Sequence, residues 1–200
     1  MTRRHLVMFV RAPQLGRGKR RLAQAIGDVA TVRFERLMLA LLLRRLAADR
    51  RWRLRIAVTP DTACRRARHW HLGIEPEGQG GGDLGTRMWR ALAACPAGPV
   101  VLVGGERRDV AARHVAAAFR LLGRHDLVFG PAEDGGFWLV GARRSPRLPP
   151  LFERVRWSGP YALADTLAGL PLGVTVGFVD RLADVDDGEA YRRLAPRRGF

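Results

Sequence analysis

The sequence predicts an α/β fold: a three-layer, Rossmann-like arrangement in which helices cover both faces of a mostly parallel mixed sheet. Three observations carry this expectation. Short apolar runs alternate along the chain with stretches of helical length, the pattern of successive βαβ units. Runs such as Val-Val-Leu-Val at 100–103 are apolar throughout, as strands buried on both faces are. Glycine-rich loops follow several of these runs, where open α/β sheets bind ligands.

Taken in order, residues 6–10 form a first strand that passes through a glycine loop into helix. Residues 28–49 read as a long helix whose apolar positions exceed a single stripe. A second strand covers 54–58 and stops at the turn Thr59-Pro60-Asp61, and 62–70 then reads as a short arginine-faced helix. Beyond the glycines of 78–82 a helix starts near Asp83 and ends before Pro96. Strand 100–103 leads to a helix over 110–122. Residues 127–129 and 137–140 are strands separated by an acidic glycine turn, 174–179 is a last strand, and 188–194 a short helix. With no internal repeat and no long linker, residues 1–200 are expected to form one domain.

Composition narrows the function. The 47% hydrophobic and 8% aromatic content describes a folded globular chain, not a disordered one. No run reaches the ~18 apolar residues of a membrane helix. The opening MTRRHLVMFVRAP has too short an apolar stretch for a signal peptide, and Cys64 and Cys95 form no C-x-x-C pair. Together these point to a cytoplasmic protein with reduced cysteines and no membrane span. A formal net charge of +16 raises nucleic acid as a partner. The basic residues are dispersed, however, and neither zinc-finger spacing nor an aromatic RNA-binding signature is present, so no specific nucleic-acid site is expected. Attraction for small anionic substrates is.

Among 35 basic residues only Lys19 is lysine, and it sits in the loop RAPQLGRGKRRL, residues 11–22, directly after the first strand. Such loops hold phosphates through backbone N–H groups and a cation. Lysine offers a compact point charge there, where arginine would offer a planar fork. A P-loop is excluded because Pro13 stands at its first glycine and Arg20 at its hydroxyl position; the dinucleotide fingerprint fails at Arg21, where its third glycine falls. In Glu133-Asp134-Gly135-Gly136 the glycines permit a tight hairpin turn that presents the Asp134 carboxylate. Asp83 and Arg87 either contact a nucleotide or cap and decorate the helix that starts there. Near the C-terminus, Asp187 and Glu189 suit helix capping, while Asp184 and Asp186 share one face if their stretch is extended.

Four loops, RAPQLGRGKRRL, GQGGGDLGTRM (78–88), GPAEDGGFWLVG (130–141) and LADVDDGEAYRRL (182–194), together resemble a bacterial family of nucleotide-diphospho-sugar transferases with the GT-A fold. This is the family of radical-SAM-associated or arsenosugar-biosynthesis glycosyltransferases. The resemblance spans nearly the whole chain and includes the Trp157-Ser158 stretch. It implies sugar transfer from a nucleotide-sugar to a small acceptor, with Mg²⁺ or Mn²⁺. Arg11, Ala12, Pro13, Gly16, Gly18, Lys19, Arg21, Gly82, Asp83 and Arg87 are then expected at the nucleotide. Lys19 would act on the leaving diphosphate, and Asp134 as the catalytic group at the acceptor hydroxyl. Asp134, Gly135, Gly136, Trp157 and Ser158 would form the acceptor side, and Glu106 with Asp186 would hold the metal.

Two departures stand out. The family's Lys-Thr-Arg is Lys19-Arg20-Arg21 here, and its Gly-Ser-Asp-Cys-Pro is Gly104-Gly105-Glu106-Arg107-Arg108. The metal-binding aspartate is thus replaced by a glutamate one methylene longer, although divalent metals demand defined ligand distances. Two other readings stay open: a nucleotidyltransferase that releases pyrophosphate, and a nucleotide-binding protein that has lost the metal site.

Overall fold

The computed structural model describes residues 3–17, 20–67, 70, 73–106, 110–144 and 148–182. Its strands are β1 (His5–Arg11), β2 (Arg53–Thr59), β3 (Glu77–Gly78), β4 (Val100–Gly104), β5 (Leu127–Pro131), β6 (Phe137–Ala142) and β7 (Val176–Phe178). Its helices are α1 (Arg20–Ile26), α2 (Asp28–Ala47), α3 (Cys64–Ala67), α4 (Leu84–Ala93), α5 (Ala112–Leu121) and α6 (Ala162–Ala168), with a 3₁₀ turn at Asp61–Ala63. The strands form one sheet in the order β3-β2-β1-β4-β6-β5-β7. Every pairing is parallel except those of β6 with β4 and β5. The expected mostly parallel α/β sheet, matching a Rossmann-like GT-A arrangement, is what the chain forms.

Strand periodicity sorts the core into two layers. Leu6, Met8 and Val10 of β1 pack with Leu39, Leu42, Leu43 and Leu46 of α2 and Val115, Ala118 and Phe119 of α5. Val7, one residue out of phase, joins Met88 and Leu92 of α4 on the opposite face. In β4, Val101 and Val103 enter the first layer, and Val100 and Leu102 the second. A single-residue slip would exchange both sets, so apolar burial on two faces fixes the register.

Of the expected helix over 62–70, the described residues show a 3₁₀ turn followed by α3, and residues 68 and 69 lie outside them. Along the turn and α3 only the small side chains of Ala63 and Ala67 are buried. β3 and α6 have no counterpart in the sequence expectation. β3 is a two-residue edge strand of Glu and Gly, opposite Ala57 and Val58, and carries no apolar signal. The expected final strand contracts to the three residues of β7. The helix expected at 188–194 lies outside the described residues.

Candidate functional site

Two adjoining cavities open where β1, β2 and β4 end and β6 begins. The smaller, about 270 Å³, is lined by Arg11, Arg17, Arg20 and Arg21, with Glu35 and Met38 of α2 and with Glu106 beyond β4. Four guanidinium groups against two carboxylates make it a cationic pocket suited to a phosphorylated ligand. The larger cavity, about 610 Å³, is lined by Arg11, Thr59, Gln79, Arg87, Glu106 and Asp134, with Trp157, Ser158, Gly159 and Pro160 along one wall. Arg11, Gly105 and Glu106 line both, so the two are compartments of one site.

The GDLG sequence shapes the mouth of the larger cavity. Asp83 is the N-cap of α4, its carboxylate accepting from the Thr86 backbone N–H at 2.7 Å. Hydrogen bonding from Thr86, its side chain foremost and then this backbone N–H, draws the Asp83 carboxyl below the usual carboxylate range. Gly85 lies against Phe152 and Trp157. A Cβ on it would lie 2.6 Å from the Phe152 Cβ and 2.7 Å from the Trp157 ring, so only glycine lets this segment close over α4. Arg87, one turn on, donates from Nε to the Asp83 carbonyl (3.2 Å) and from Nη1 to Gln79 Oε1 (3.1 Å).

On the other side, the β5–β6 hairpin presents Asp134. Its Oδ1 accepts from the Gly136 N–H at 3.0 Å, fixing the carboxylate at the tip. Gly135 adopts a φ of 82° and its carbonyl accepts from the Leu163 N–H at 3.1 Å, which docks the hairpin on the start of α6. Phe137 stacks on Phe152 with centroids 6.0 Å apart and meets Trp157 edge-on at 6.3 Å. This side of the larger cavity is therefore an aromatic wall with one carboxylate on its rim.

Of the residues expected at a nucleotide, Arg11, Ala12, Pro13 and Arg21 line the cationic cavity and Arg87 the larger one. Gly16, Gly82 and Asp83 line neither. Gly16 has open space around it at a φ of 68°, Gly82 abuts Thr86, and Asp83 is occupied as a cap. Asp134, Gly136, Trp157 and Ser158, expected on the acceptor side, line the larger cavity, whereas Gly135 turns away onto Pro160. Glu106 lies on the shared wall. Gly18, Lys19 and Asp186 lie outside the described residues, and so do Asp184, Asp187 and Glu189. Among the described residues no group of three His, Cys, Asp or Glu side chains gathers. No helix among them is long and apolar enough to cross a membrane.

Gln79 is the residue the sequence hides. It is buried in the second loop, and its Nε2 donates to the carbonyls of Val10 (3.1 Å) and Ala57 (3.0 Å), 69 and 22 positions away. Its presence in GQGGGDLG was the available signal. Its partners were not readable, because they are backbone atoms of two other strands.

No curated protein matches the chain. Among solved structures, it is similar to one described as a "putative nucleotide-diphospho-sugar transferase" from Desulfovibrio desulfuricans G20. That match has a TM-score of 0.84 and 28% identity, covering 94% of this chain and 84% of that one. It shares a fold with 4-diphosphocytidyl-2C-methyl-D-erythritol synthase from Anaerococcus prevotii DSM 20548 (TM-score 0.61, 8% identity, 96% and 95% covered). It likewise shares one with CMP:2-keto-3-deoxy-manno-octonic acid synthetase complexed with CTP (TM-score 0.60, 12% identity, 96% and 97% covered). Residues 42–159, which run from α2 through both walls of the larger cavity, match the family described as "Uncharacterized protein conserved in bacteria (DUF2064)", and the chain belongs to that family.

Proposed function

We propose that this protein is a transferase that takes a sugar from a nucleotide-diphosphate donor and passes it to a hydroxyl of a small acceptor. The observation that carries this reading is the wall common to the two cavities. A diphosphate lying among Arg11, Arg17, Arg20 and Arg21 borders, across Arg11 and Glu106, the space where Arg87 and Asp134 converge. The similarity to the Desulfovibrio nucleotide-diphospho-sugar transferase supports the same reading.

In the proposed reaction the acceptor oxygen attacks the anomeric carbon, and the bond from that carbon to the diphosphate oxygen breaks. The electron pair leaves with the nucleoside diphosphate, and the acceptor proton passes to the Asp134 carboxylate. Arg11 and Arg21, with Lys19 on the same loop, stabilise the charge that grows on the departing group. The Gly136 N–H holds Asp134 in one orientation while it accepts the proton.

Glu106 is an exposed hard oxygen donor on the shared wall, which fits Mg²⁺ or Mn²⁺. Mg²⁺ is commonly held by one or two carboxylates completed by substrate phosphates and water. Glu106 would be one such carboxylate and Asp186 the second. The ion would supply positive charge to the phosphate oxygens.

The test is to incubate the purified protein with Mn²⁺ and a panel of nucleotide-sugars or nucleoside triphosphates, with hydroxyl and sugar-phosphate acceptors, and to identify the product released. Nucleoside diphosphate is expected. Pyrophosphate from a triphosphate would instead assign nucleotidyl transfer, the reading favoured by the shared fold with a synthetase complexed with CTP. Tight nucleotide binding without turnover would assign a non-catalytic binding protein.

A further inference from the structure

Arg87 in the larger cavity is held by the Asp83 carbonyl and by one buried side chain, that of Gln79. Gln79 Nε2 donates to two backbone carbonyls, Val10 and Ala57. An amide nitrogen has two hydrogens, and both are used on groups that can only accept. Flipping the amide would set its oxygen against those two carbonyls, so the orientation is fixed and Oε1 must face Arg87. Arg87 in turn has five N–H donors in a rigid fork. One on Nε goes to the Asp83 carbonyl and one on Nη1 to Gln79 Oε1, leaving the others, including both on Nη2, for a ligand.

We propose that Gln79 is the positioning residue for Arg87, holding its guanidinium plane so that the remaining N–H groups meet paired acceptor atoms of the bound nucleotide. The inference rests on the nucleotide reading of the larger cavity and adds to it the residue that sets the geometry there. Without Gln79, half-buried Arg87 would keep its charge near the cavity but lose its fixed plane. A fork pre-set by packing binds planar acceptors with less ordering cost than a free one.

The backbone around Gln79 does not depend on its side chain. Its N–H donates to the Val58 carbonyl at 3.0 Å, its carbonyl accepts from Arg90 Nη1 at 2.6 Å, and the Gly80 N–H is held by the Asp61 carboxylate at 3.1 Å. Gln79→Met, unbranched and similar in length, therefore removes the amide from a loop that is pinned independently.

The experiment is a double-mutant cycle read in two quantities. UDP, GDP, CTP and GTP are titrated calorimetrically into wild type, Gln79→Met, Arg87→Met and the double variant, and Tm is measured for each. Arg87→Met is expected to weaken the best-bound nucleotide about tenfold, and Gln79→Met comparably. The double variant should bind no more weakly than Arg87→Met alone, while the fall in Tm caused by Gln79→Met persists in both backgrounds. If Gln79→Met weakens binding equally with and without Arg87, or in neither case, Gln79 only ties strands together and the proposal is overturned.

A ligand-free readout keeps this separate from the nucleotide reading. The Arg87 Nη1–H resonance, which reports the bond to Gln79 Oε1 and is assigned by its loss in Arg87→Met, should be protected from exchange in wild type and averaged with exposed arginines in Gln79→Met. Unchanged protection overturns the proposal even if nucleotides bind. Should none of the four nucleotides bind wild type, the nucleotide reading fails, and this resonance still decides what Gln79 does. Gln79→Glu gives a second variant: it retains an acceptor for Arg87 but loses both donors to Val10 and Ala57. It should lower Tm yet preserve Arg87 protection, and loss of that protection counts against the positioning role of Oε1.

Discussion

Asp165 Oδ2 accepts from both the backbone N–H (3.0 Å) and the Nε (2.9 Å) of Arg156, while its Oδ1 accepts from Arg156 Nη2 at 2.8 Å. The same guanidinium lies 4.0 Å over the Tyr161 ring. Asp165 stands in the first turn of α6. The helix thereby grips the chain immediately before Trp157 and Ser158, which line the larger cavity.

This clamp predicts a pH dependence. The hydrogen bonds from Arg156, chiefly those of its side chain, lower the Asp165 carboxyl to about 2 from an ordinary 3.8. A depressed carboxylate contributes stability that is present above its unfolded value and is lost as pH falls through the folded one. Thermal unfolding should show Asp165→Asn below wild type at neutral pH, with the gap closing between about pH 4 and pH 2. A gap constant across that window would show that the pair contributes nothing, which is common for exposed ion pairs.

The hairpin tip gives a second prediction. At Gly135 a Cβ would stand 2.6 Å from the Pro160 carbonyl carbon and nearer still to its oxygen, at a φ of 82°. Gly135→Ala adds a backbone clash to an unfavourable conformation and should destabilise by more than about 1 kcal/mol. Gly16→Ala has a similar φ of 68° and nothing within 4 Å, so it carries the conformational strain alone. Denaturant unfolding of both variants should rank Gly135→Ala as clearly the more damaging. Equal losses would mean that the hairpin moves off α6 without cost.

Where sequence reading succeeded, the reason was burial. Leu6, Val7, Met8 and Val10 are almost wholly inside, so β1 had to be written in apolar residues and was legible. α4 was legible because Asp83, its N-cap, sits directly before an apolar-periodic run. β3 was not, because an edge strand of Glu77 and Gly78 is held by backbone pairing to Ala57 and Val58 rather than by side-chain burial. α6 was not legible because it is only seven residues long and buries just Ala162 and Thr166, too little for an apolar period to show. In the site, adjacency in sequence does not fix which way a residue faces: Gly135 and Gly136 are neighbours, yet only Gly136 lines the cavity. Gln79 was unreadable for the opposite reason, since its partners are far apart in sequence.

The cationic cavity yields the third prediction. Arg11 lines both compartments, so Arg11→Ala should weaken nucleotide binding and slow turnover together. Lys19→Ala should weaken nucleotide binding by ~1.5–3 kcal/mol, the scale for a hydrogen bond to a charged group. Calorimetry with a nucleoside diphosphate checks both. Full affinity in folded Lys19→Ala would return that lysine to the solvated surface.

The last prediction concerns Glu106, where the resembling family places aspartate. It faces both cavities, and Mg²⁺ requires oxygen ligands at about 2.0–2.1 Å in a near-octahedral shell, so an extra methylene matters. If Glu106 holds the metal, Mn²⁺ should raise the Tm gained from a nucleoside diphosphate, and Glu106→Ala should abolish that increment. Asp186→Ala should do much the same, and the double variant should lose little more, because two carboxylates on one ion act non-additively. Glu106→Asp then reports on adaptation. Weaker metal dependence would mean that the pocket has settled around the longer side chain; stronger dependence would mean that glutamate is a poor substitute there. A wild type whose nucleotide stabilisation ignores Mn²⁺ altogether, with all three variants unchanged, would remove the metal from this site and leave Arg11, Arg21 and Lys19 to carry the phosphate charge alone.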